Sequence, residues 1–417
     1  MSQNYQPATL AIHADDICSK TTDVAPPIHL STTYRYPSDP LELVPAPTSE
    51  EDLSPEILGT DAPLVYSRLA SPNASRLETA LAPLLFPGFT DTATTKLSTN
   101  VVTYASGLAA FHGLLVSVVP KVIAISGGYH GCHGVISLHK KMHGVKTVDL
   151  HASDEEWDKA GLGKGDLVHL ETPLNPTGEA YDIEKYAKRA HARGALFSVD
   201  STFGPPQLQD PFAWGADVVM HSGTKYVGGH SDMLCGILAV KPDVEGNKRA
   251  LEMRLERLFL GGVMGNLEGW LGVRSIRTME LRVQRQSKNA DNLVAWLDGC
   301  IKGSITGEEA DLVKQHVVKV THSSLQKDSF LAKQMPNGGP AVFSIWLADS
   351  TAARSFPSKL NLFHHATSLG GVESLIEWRR MSDNTVEDTM LRVSIGIEDW
   401  NDLRVDIIEG LKAMDTK

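Results

Sequence analysis

A lysine, an aspartate and several small hydroxyl side chains lie close together in FSVDSTFGPPQLQDPFAWGADVVMHSGTKYVGGHSDMLCGIL, which runs from Phe197 to Leu238. An apolar run ends in Asp200. A second short run covers Asp217 to His221, and Ser222-Gly223-Thr224-Lys225 follows it. A carboxylate ending a buried strand and a lysine in a tight turn among hydroxyls suit pyridoxal 5′-phosphate (PLP). That cofactor needs a lysine for its Schiff base and a carboxylate to keep its ring nitrogen protonated. It also needs short-side-chain donors for its phosphate. Lys225, Asp200, and Ser222 with Thr224 fit these three roles. Taken alone, Ser-x-Thr-Lys is short enough to occur by accident, so the rest of the chain must test the idea.

The elements that would position these residues read as an α/β protein. DLVHLETPLNPTGEAYDIEKYAKRAHARGALFSVD predicts a strand at 167–171, a helix from Asp182 to Arg193 closed by Gly194, and a strand at 195–199. Asn175 then falls beyond the carboxyl end of the first strand, where α/β folds place ligands. TYASGLAAFHGLL predicts strand, small turn and helix, so that Ser106, Gly107 and Leu108 offer backbone N–H groups to a phosphate. Asn73 and Ser75 offer N-cap chemistry to a helix carrying Leu77, Ala80, Leu81 and Leu84. Leu251 to Arg285 is helical in pattern, and strands are expected at 315–321, 341–347 and 391–396. Residues 1–65 predict an arm with few helical periods, with a proline-rich acidic surface loop from Ser38 to Ala62.

Composition narrows the function classes. A chain of 417 residues exceeds one small core, and 42% hydrophobic with 21% charged residues is ordinary globular composition. A formal charge of −11 argues against nucleic acid or an acidic membrane as partner. The four cysteines are scattered, which favours a reducing, cytoplasmic setting. The start of the chain is polar and acidic, unlike a signal peptide, and its longest apolar stretch is broken by Pro120 and Lys121. His130, Cys132, His133, His139 and His143 crowd one segment. No carboxylate or second thiolate completes a set at ligand spacing there, and no metal is expected.

VDSTFGPP followed by HSGTKYVGGHSD resembles the Cys/Met-metabolism family of PLP enzymes, which includes the cystathionine synthases and lyases. Further matches run from APPIHLSTTYRY near the start to LRVSIGIEDW near the end. The resemblance implies the type I, aspartate aminotransferase-like fold of PLP enzymes. That fold has a large PLP domain with a mixed, mostly parallel sheet and a smaller C-terminal α/β domain, here 66–283 and 284–417 after the arm 1–65. It also implies roles for single residues. Tyr66 and Arg68 of VYSRL would bind the PLP phosphate of an adjacent subunit, making the protein a homo-oligomer, a tetramer by resemblance. Ser106, Gly107 and Leu108 match the family's SSGxAA segment. Asn175 matches the Asn that meets the cofactor's 3′-oxygen. Thr202 lies in the signature beside Asp200. The family's stacking Tyr has two candidates, Tyr129 and His130. Ser368 opens the SLGG segment lining the substrate site, and Arg392 would grip the substrate's α-carboxylate.

Lys225, freed from the cofactor by an incoming amino acid, would remove the Cα proton. Loss of a γ-leaving group then opens Cγ to a nucleophile, giving replacement; hydrolysis instead gives a 2-keto acid and ammonia. Position 367 bears on specificity. The resembled γ-synthases and γ-lyases usually carry Glu before SLGG, and this chain has Thr367, which cannot pair with a distal ammonium group. His364, His365 and Trp378 are further candidates for shaping the pocket. The expected reaction is γ-replacement on an O-acyl-L-homoserine by a thiol or carbon nucleophile other than cysteine. A β- or γ-eliminating lyase is the alternative. A cofactor-binding homologue without catalysis would have little reason to keep Lys225, Asp200, Tyr66, Arg68 and Arg392 together.

Overall fold

The structure is a computed structural model that describes residues 5–43, 45, 54–92 and 95–415. Two sheets organise it. The first has seven strands: β1 (Val101–Tyr104), β2 (Val122–Ala124), β3 (Lys146–Val148), β4 (Leu167–Glu171), β5 (Leu196–Asp200), β6 (Val218–Ser222) and β7 (Gly236–Val240). Their order is β1-β7-β6-β5-β4-β2-β3. β7 is antiparallel to both its neighbours, and the other pairings are parallel. This mixed, mostly parallel sheet agrees with the expected fold class.

Both faces of this sheet are covered, which is why β1 (VVTY) and β7 (GILAV) are apolar and buried at nearly every position. Alternate residues serve opposite layers. Val102 and Ile123 pack with Phe111 and Leu114 of the helix Gly107–Val118, whereas Val101 and Ala124 join Leu77 and Leu81 of the helix Pro72–Leu85.

The second sheet has five strands: β8 (Val317–Thr321), β9 (Val342–Leu347), β10 (His364–His365), β11 (Leu375–Trp378) and β12 (Met390–Ser394). They run in the order β10-β11-β12-β9-β8, antiparallel except for β10 with β11. The helix Met279–Lys302 passes from one sheet to the other and runs unbroken across position 284. Its Gln286 donates to Gly371 O at 2.6 Å, so the helix grips the loop that brings the second sheet to the first.

Three local expectations needed correction. The helix near Asn73 starts earlier, at Pro72 with Ser71 as N-cap. Asn73 is instead a buried tie, donating to Pro27 O at 2.9 Å and accepting from His29 N at 2.9 Å. The stretch Leu251–Arg285 is not one helix. It comprises the end of Val244–Leu260, then Asn266–Ile276, then the start of Met279–Lys302. Gly261 ends the first of these in the left-handed region, φ +69. The arm also contains a helix, Pro7–His13, which seats Ala11 in the core. Beyond it the buried Asp15 pairs with Arg76 at 2.8 Å and Arg277 at 3.2 Å. Of the expected surface loop, positions 44 and 46–53 lie outside the described residues. No helix among the described residues is long and apolar enough to cross a membrane.

Glu78 fixes β1 from below. It is buried, and it accepts from Thr103 N (3.0 Å), Thr103 Oγ1 (2.8 Å), Arg254 (2.9 Å) and Arg257 (3.2 Å). Burial alone would raise its carboxyl pKa, but the two guanidiniums and the Thr103 bonds hold it below the usual value. Glu78→Gln strands two buried cations, and a loss of about 3–5 kcal/mol in stability is expected. A denaturant titration followed by circular dichroism reads it as a lowered midpoint.

Candidate active site

The carboxyl ends of the parallel strands open into a cavity of about 480 Å³, the position at which α/β sheets bind ligands. Each strand end delivers one piece of it. β5 ends at Asp200, β6 at Ser222, and Lys225 follows in the turn. β4 ends at Glu171 with Asn175 in the loop beyond. β1 leads through Ala105 to Ser106, the N-cap of the helix Gly107–Val118. β2 leads to Tyr129 and His130, N-cap and first residue of the helix His130–His143. Ser368, Thr367 and Arg392 close the cavity from the second sheet.

Lys225 is largely enclosed, and its Nζ donates to Ser368 Oγ at 2.8 Å. Burial first, then Arg392, lowers its pKa to about 8, with Glu377 opposing. Ser368 holds its place in a left-handed conformation, φ +87, that non-glycine residues rarely adopt. Arg392 Nη2 anchors it by donating to Ser368 O at 3.0 Å. Above its pKa the amine is neutral and nucleophilic. Acylation of Lys225 in the ligand-free chain should therefore reach half its maximal rate near pH 8, against roughly 10.4 for an ordinary lysine. Peptide mass spectrometry across a pH series measures it.

Asp200 is buried, and burial raises its pKa. Its Oδ1 accepts from Thr202 N (2.9 Å) and Thr202 Oγ1 (2.6 Å), while Oδ2 has no hydrogen-bond partner among the described residues. The Thr202 hydroxyl also accepts from Ser222 N at 2.8 Å. Thr202 thus faces Asp200 and β6 with both its bonding directions. Beside Asp200 in register stands Glu171, whose carboxyl burial and the Asp200 charge push well above the ordinary range. Glu171 accepts from Tyr129 N and Asn175 N, each at 2.7 Å, and so joins the two loops on either side of the cavity.

At the far end, a Cβ on Gly107 would stand 3.1 Å from Ser222 Oγ, so a larger residue there would push the helix start and that hydroxyl apart by a few tenths of an ångström. The Ser106 hydroxyl caps Ala109 N at 3.1 Å. The Thr224 hydroxyl accepts from Cys235 N at 3.0 Å and holds β7.

These residues fit PLP on their own evidence. A desolvated carboxylate with a free oxygen calls for a cationic partner, which a protonated ring nitrogen provides. A lysine whose pKa is lowered towards 8 can present a neutral amine to an aldehyde, and a helix start flanked by hydroxyls suits a phosphate.

The structure brings together Lys225, Asp200, Thr202, Ser222, Thr224, Ser106, Gly107, Leu108, Asn175, Thr367, Ser368 and Arg392 around this one cavity. Tyr129 and His130 both line it, their rings 4.8 Å apart. Tyr66 and Arg68 do not. They line a separate hollow with His29, Asn266 and Glu268, the guanidinium 5.3 Å from the Tyr66 ring centre. His364, His365 and Trp378 also lie away from the cavity lining. Trp378 packs on the core and donates to Asp388 O at 2.7 Å.

The histidine-rich segment spreads around its helix: His133 meets Gly127 O at 2.6 Å and His139 meets His112 at 2.9 Å. Among the described residues one trio has metal-ligand spacing, Cys132, His169 and Asp200, and its carboxylate belongs to the cavity. Sequence reasoning missed Glu171, Glu377 and Arg379. The first stands inside the matched ETPLNP motif, which signalled it; the other two follow SLGGVESLI.

Comparison with known proteins agrees with this geometry. A family profile described as Cys/Met metabolism PLP-dependent enzyme matches residues 8–412. A cystathionine gamma-lyase of Dictyostelium discoideum is 31% identical over 98% of this chain and 98% of its own length. A cystathionine gamma-synthase of Escherichia coli is 31% identical over 94% and 93%. The solved structure of cystathionine gamma synthase from Xanthomonas oryzae pv. oryzae superposes with a TM-score of 0.79 at 28% identity, covering 99% of each chain. The chain therefore belongs to the Cys/Met metabolism family and is a PLP-dependent enzyme of the group that contains the cystathionine synthases and lyases.

Proposed function

We propose that the protein catalyses γ-replacement on an O-acyl-L-homoserine, with a nucleophile other than cysteine. The observation that carries the choice is Thr367 at the cavity wall. A hydroxyl there gives no anionic seat for the ammonium group of cysteine or cystathionine. PLP, when bound, supplies the electron sink for a carbanion at the substrate's Cα.

The chain's residues do the rest. Lys225 Nζ carries the cofactor and, once released, takes the Cα proton; its pKa of about 8 suits a base near neutral pH. Ser368 Oγ keeps that amine in position. Asp200 would keep the cofactor's ring nitrogen protonated. Arg392 orients the amino acid through its α-carboxylate, and Tyr129 or His130 covers the ring face. The same amine then serves Cβ, and departure of the acyloxy group from Cγ lets the nucleophile enter. Ser106, Gly107, Leu108, Ser222 and Thr224 would seat the phosphate, and Asn175 would meet the 3′-oxygen.

We further infer that Tyr66 and Arg68 complete the phosphate seat of a second copy in a homo-oligomer. Their separation from the cavity of their own chain supports this, as do the arm's exposed apolar residues Val24 (97% exposed) and Leu30 (82%).

Incubating pure protein with O-acetyl-L-homoserine and a panel of nucleophiles tests the reading. A new amino acid whose mass tracks the nucleophile supports replacement. A 2-keto acid and ammonia from every mixture would make the enzyme a lyase.

A further inference from the structure

A nucleophile entering at Cγ brings a proton on its sulfur or carbon, and that proton needs a base. Lys225 is not free to take it, since in the replacement reading its amine carries the protons of Cα and Cβ. The other ionisable side chains that line the cavity, among the described residues, are Tyr129, His130, Glu171, Asp200, Arg379 and Arg392. Glu171 spends its two oxygens on Tyr129 N and Asn175 N, each at 2.7 Å. Asp200 is held by Thr202 for the ring nitrogen. The two guanidiniums keep their protons. Tyr129 and His130 remain.

These neighbours are placed differently. A Cβ on Gly131 would stand 2.5 Å from Tyr129 Cε1 and 2.9 Å from Leu108 Cδ2, so the phenol ring lies close to Leu108 of the phosphate seat. The pKa of Arg392 is set by burial first, then by Glu377 and Arg379, and the Tyr129 hydroxyl also acts on it. Tyr129 therefore reaches from the phosphate seat towards the grip for the α-carboxylate, which is the course a ring covering the cofactor must take.

His130 opens the helix His130–His143 and is exposed. Its ring touches that of Tyr129 at 4.8 Å, and neither ring nitrogen has a hydrogen-bond partner among the described residues. Beyond it is the turn that follows β11. Ser382 lines the cavity there, and Asp383 accepts from Thr385 N at 2.9 Å and Thr385 Oγ1 at 2.6 Å. Burial alone would raise the Asp383 carboxyl pKa, but these two bonds hold it below the usual value, helped by Arg379 and His130. The imidazole thus stands within electrostatic reach of that turn, at the rim where a second substrate enters.

We propose that His130 is the base that takes the proton of the entering nucleophile, while Tyr129 covers the cofactor ring. The assignment rests on the replacement reading and deepens it. The S–H or C–H bond of the nucleophile breaks, its electron pair forms the new bond to Cγ, and its proton passes to an imidazole nitrogen. The pair displaced from the Cβ–Cγ double bond is taken up by the proton that Lys225 returns. Protons taken from Cα and Cβ go back there, and the acyloxy group leaves as a carboxylate. The nucleophile's own proton is therefore the one released, and exposed His130 passes it to water.

A nucleophile that is already an anion does not need this base. The test uses holoenzyme saturated with O-acetyl-L-homoserine at neutral pH and two pairs of nucleophiles. Benzyl mercaptan, a thiol there, is set against 4-nitrothiophenol, a thiolate; ethyl acetoacetate, a carbon acid, is set against 1,3-cyclohexanedione, an enolate. In whichever pair the wild type turns over, the ratio of kcat/KM for the ionised member to that for the un-ionised one should rise by at least about a hundredfold in His130→Gln. Tyr129→Phe should leave that ratio within about threefold of the wild type. A lost packing contact would lower both members alike. An unchanged ratio in His130→Gln, or the selective loss in Tyr129→Phe, would overturn the assignment and leave the replacement reading standing. No adduct from any of the four nucleophiles with the wild type would remove both. His130→Asn serves if the glutamine variant does not fold.

Discussion

Lys225→Ala is expected to lower turnover by at least about four orders of magnitude, because one side chain is both the covalent anchor and the base. Among the described residues no other amine lines the cavity to replace it, and Arg392, whose charge acts on Lys225, stays protonated with a pKa of about 10. The variant should also lose the visible absorption of a lysine-bound cofactor while keeping the native circular dichroism. This lysine is not a core support: among the described residues its side chain hydrogen-bonds to Ser368. Absorption and single-turnover kinetics on the same sample separate the two losses. A variant that retained the wild-type band would show that another amine carries the cofactor.

Asp200→Ala should cost less, and in a different way. Removing one member of a buried ion pair costs about 3–5 kcal/mol, which, if lost from the transition state, corresponds to roughly two to four decades in rate at 1.36 kcal/mol per decade. The lysine remains, so the lysine-bound absorption band should persist while kcat falls. Asp200→Glu should recover little, because Thr202 N and Oγ1 fix the carboxylate at 2.9 and 2.6 Å and a longer side chain displaces it. Neighbouring Glu171 should not substitute, since its two oxygens are taken by Tyr129 N and Asn175 N. Steady-state kinetics with absorption spectra of both variants measures the contrast.

Much of this site was legible because its residues sit at the ends of strands whose patterns are strong. β4, predicted at 167–171, runs Leu167–Glu171, and the helix after it starts at Ile183 with Asp182 as N-cap. The turn after β6 and the N-cap at Ser106 follow from the same logic, small residues where an apolar run stops. What stayed hidden depends on distant partners. Nothing near Glu78 in sequence foretells Arg254 and Arg257, which reach it from a helix about 176 residues on. Asn73 resembled a helix cap, yet its amide is spent on Pro27 and His29, a tertiary contact that local spacing does not encode. Arg379 follows a matched motif, but its sharing of Glu377 with Arg392 shows only when β11 and β12 set Glu377 opposite Arg392.

The most direct test of replacement at Cγ is a proton and carbon NMR time course in D₂O, with O-acetyl-L-homoserine and one accepted nucleophile. The account predicts a single new amino acid with deuterium at Cα and Cβ, the nucleophile bonded at Cγ, acetate released in equal amount, and no ammonium. Ammonium and 2-oxobutanoate rising together, at a rate independent of the nucleophile, would contradict it and place the enzyme among the eliminating lyases.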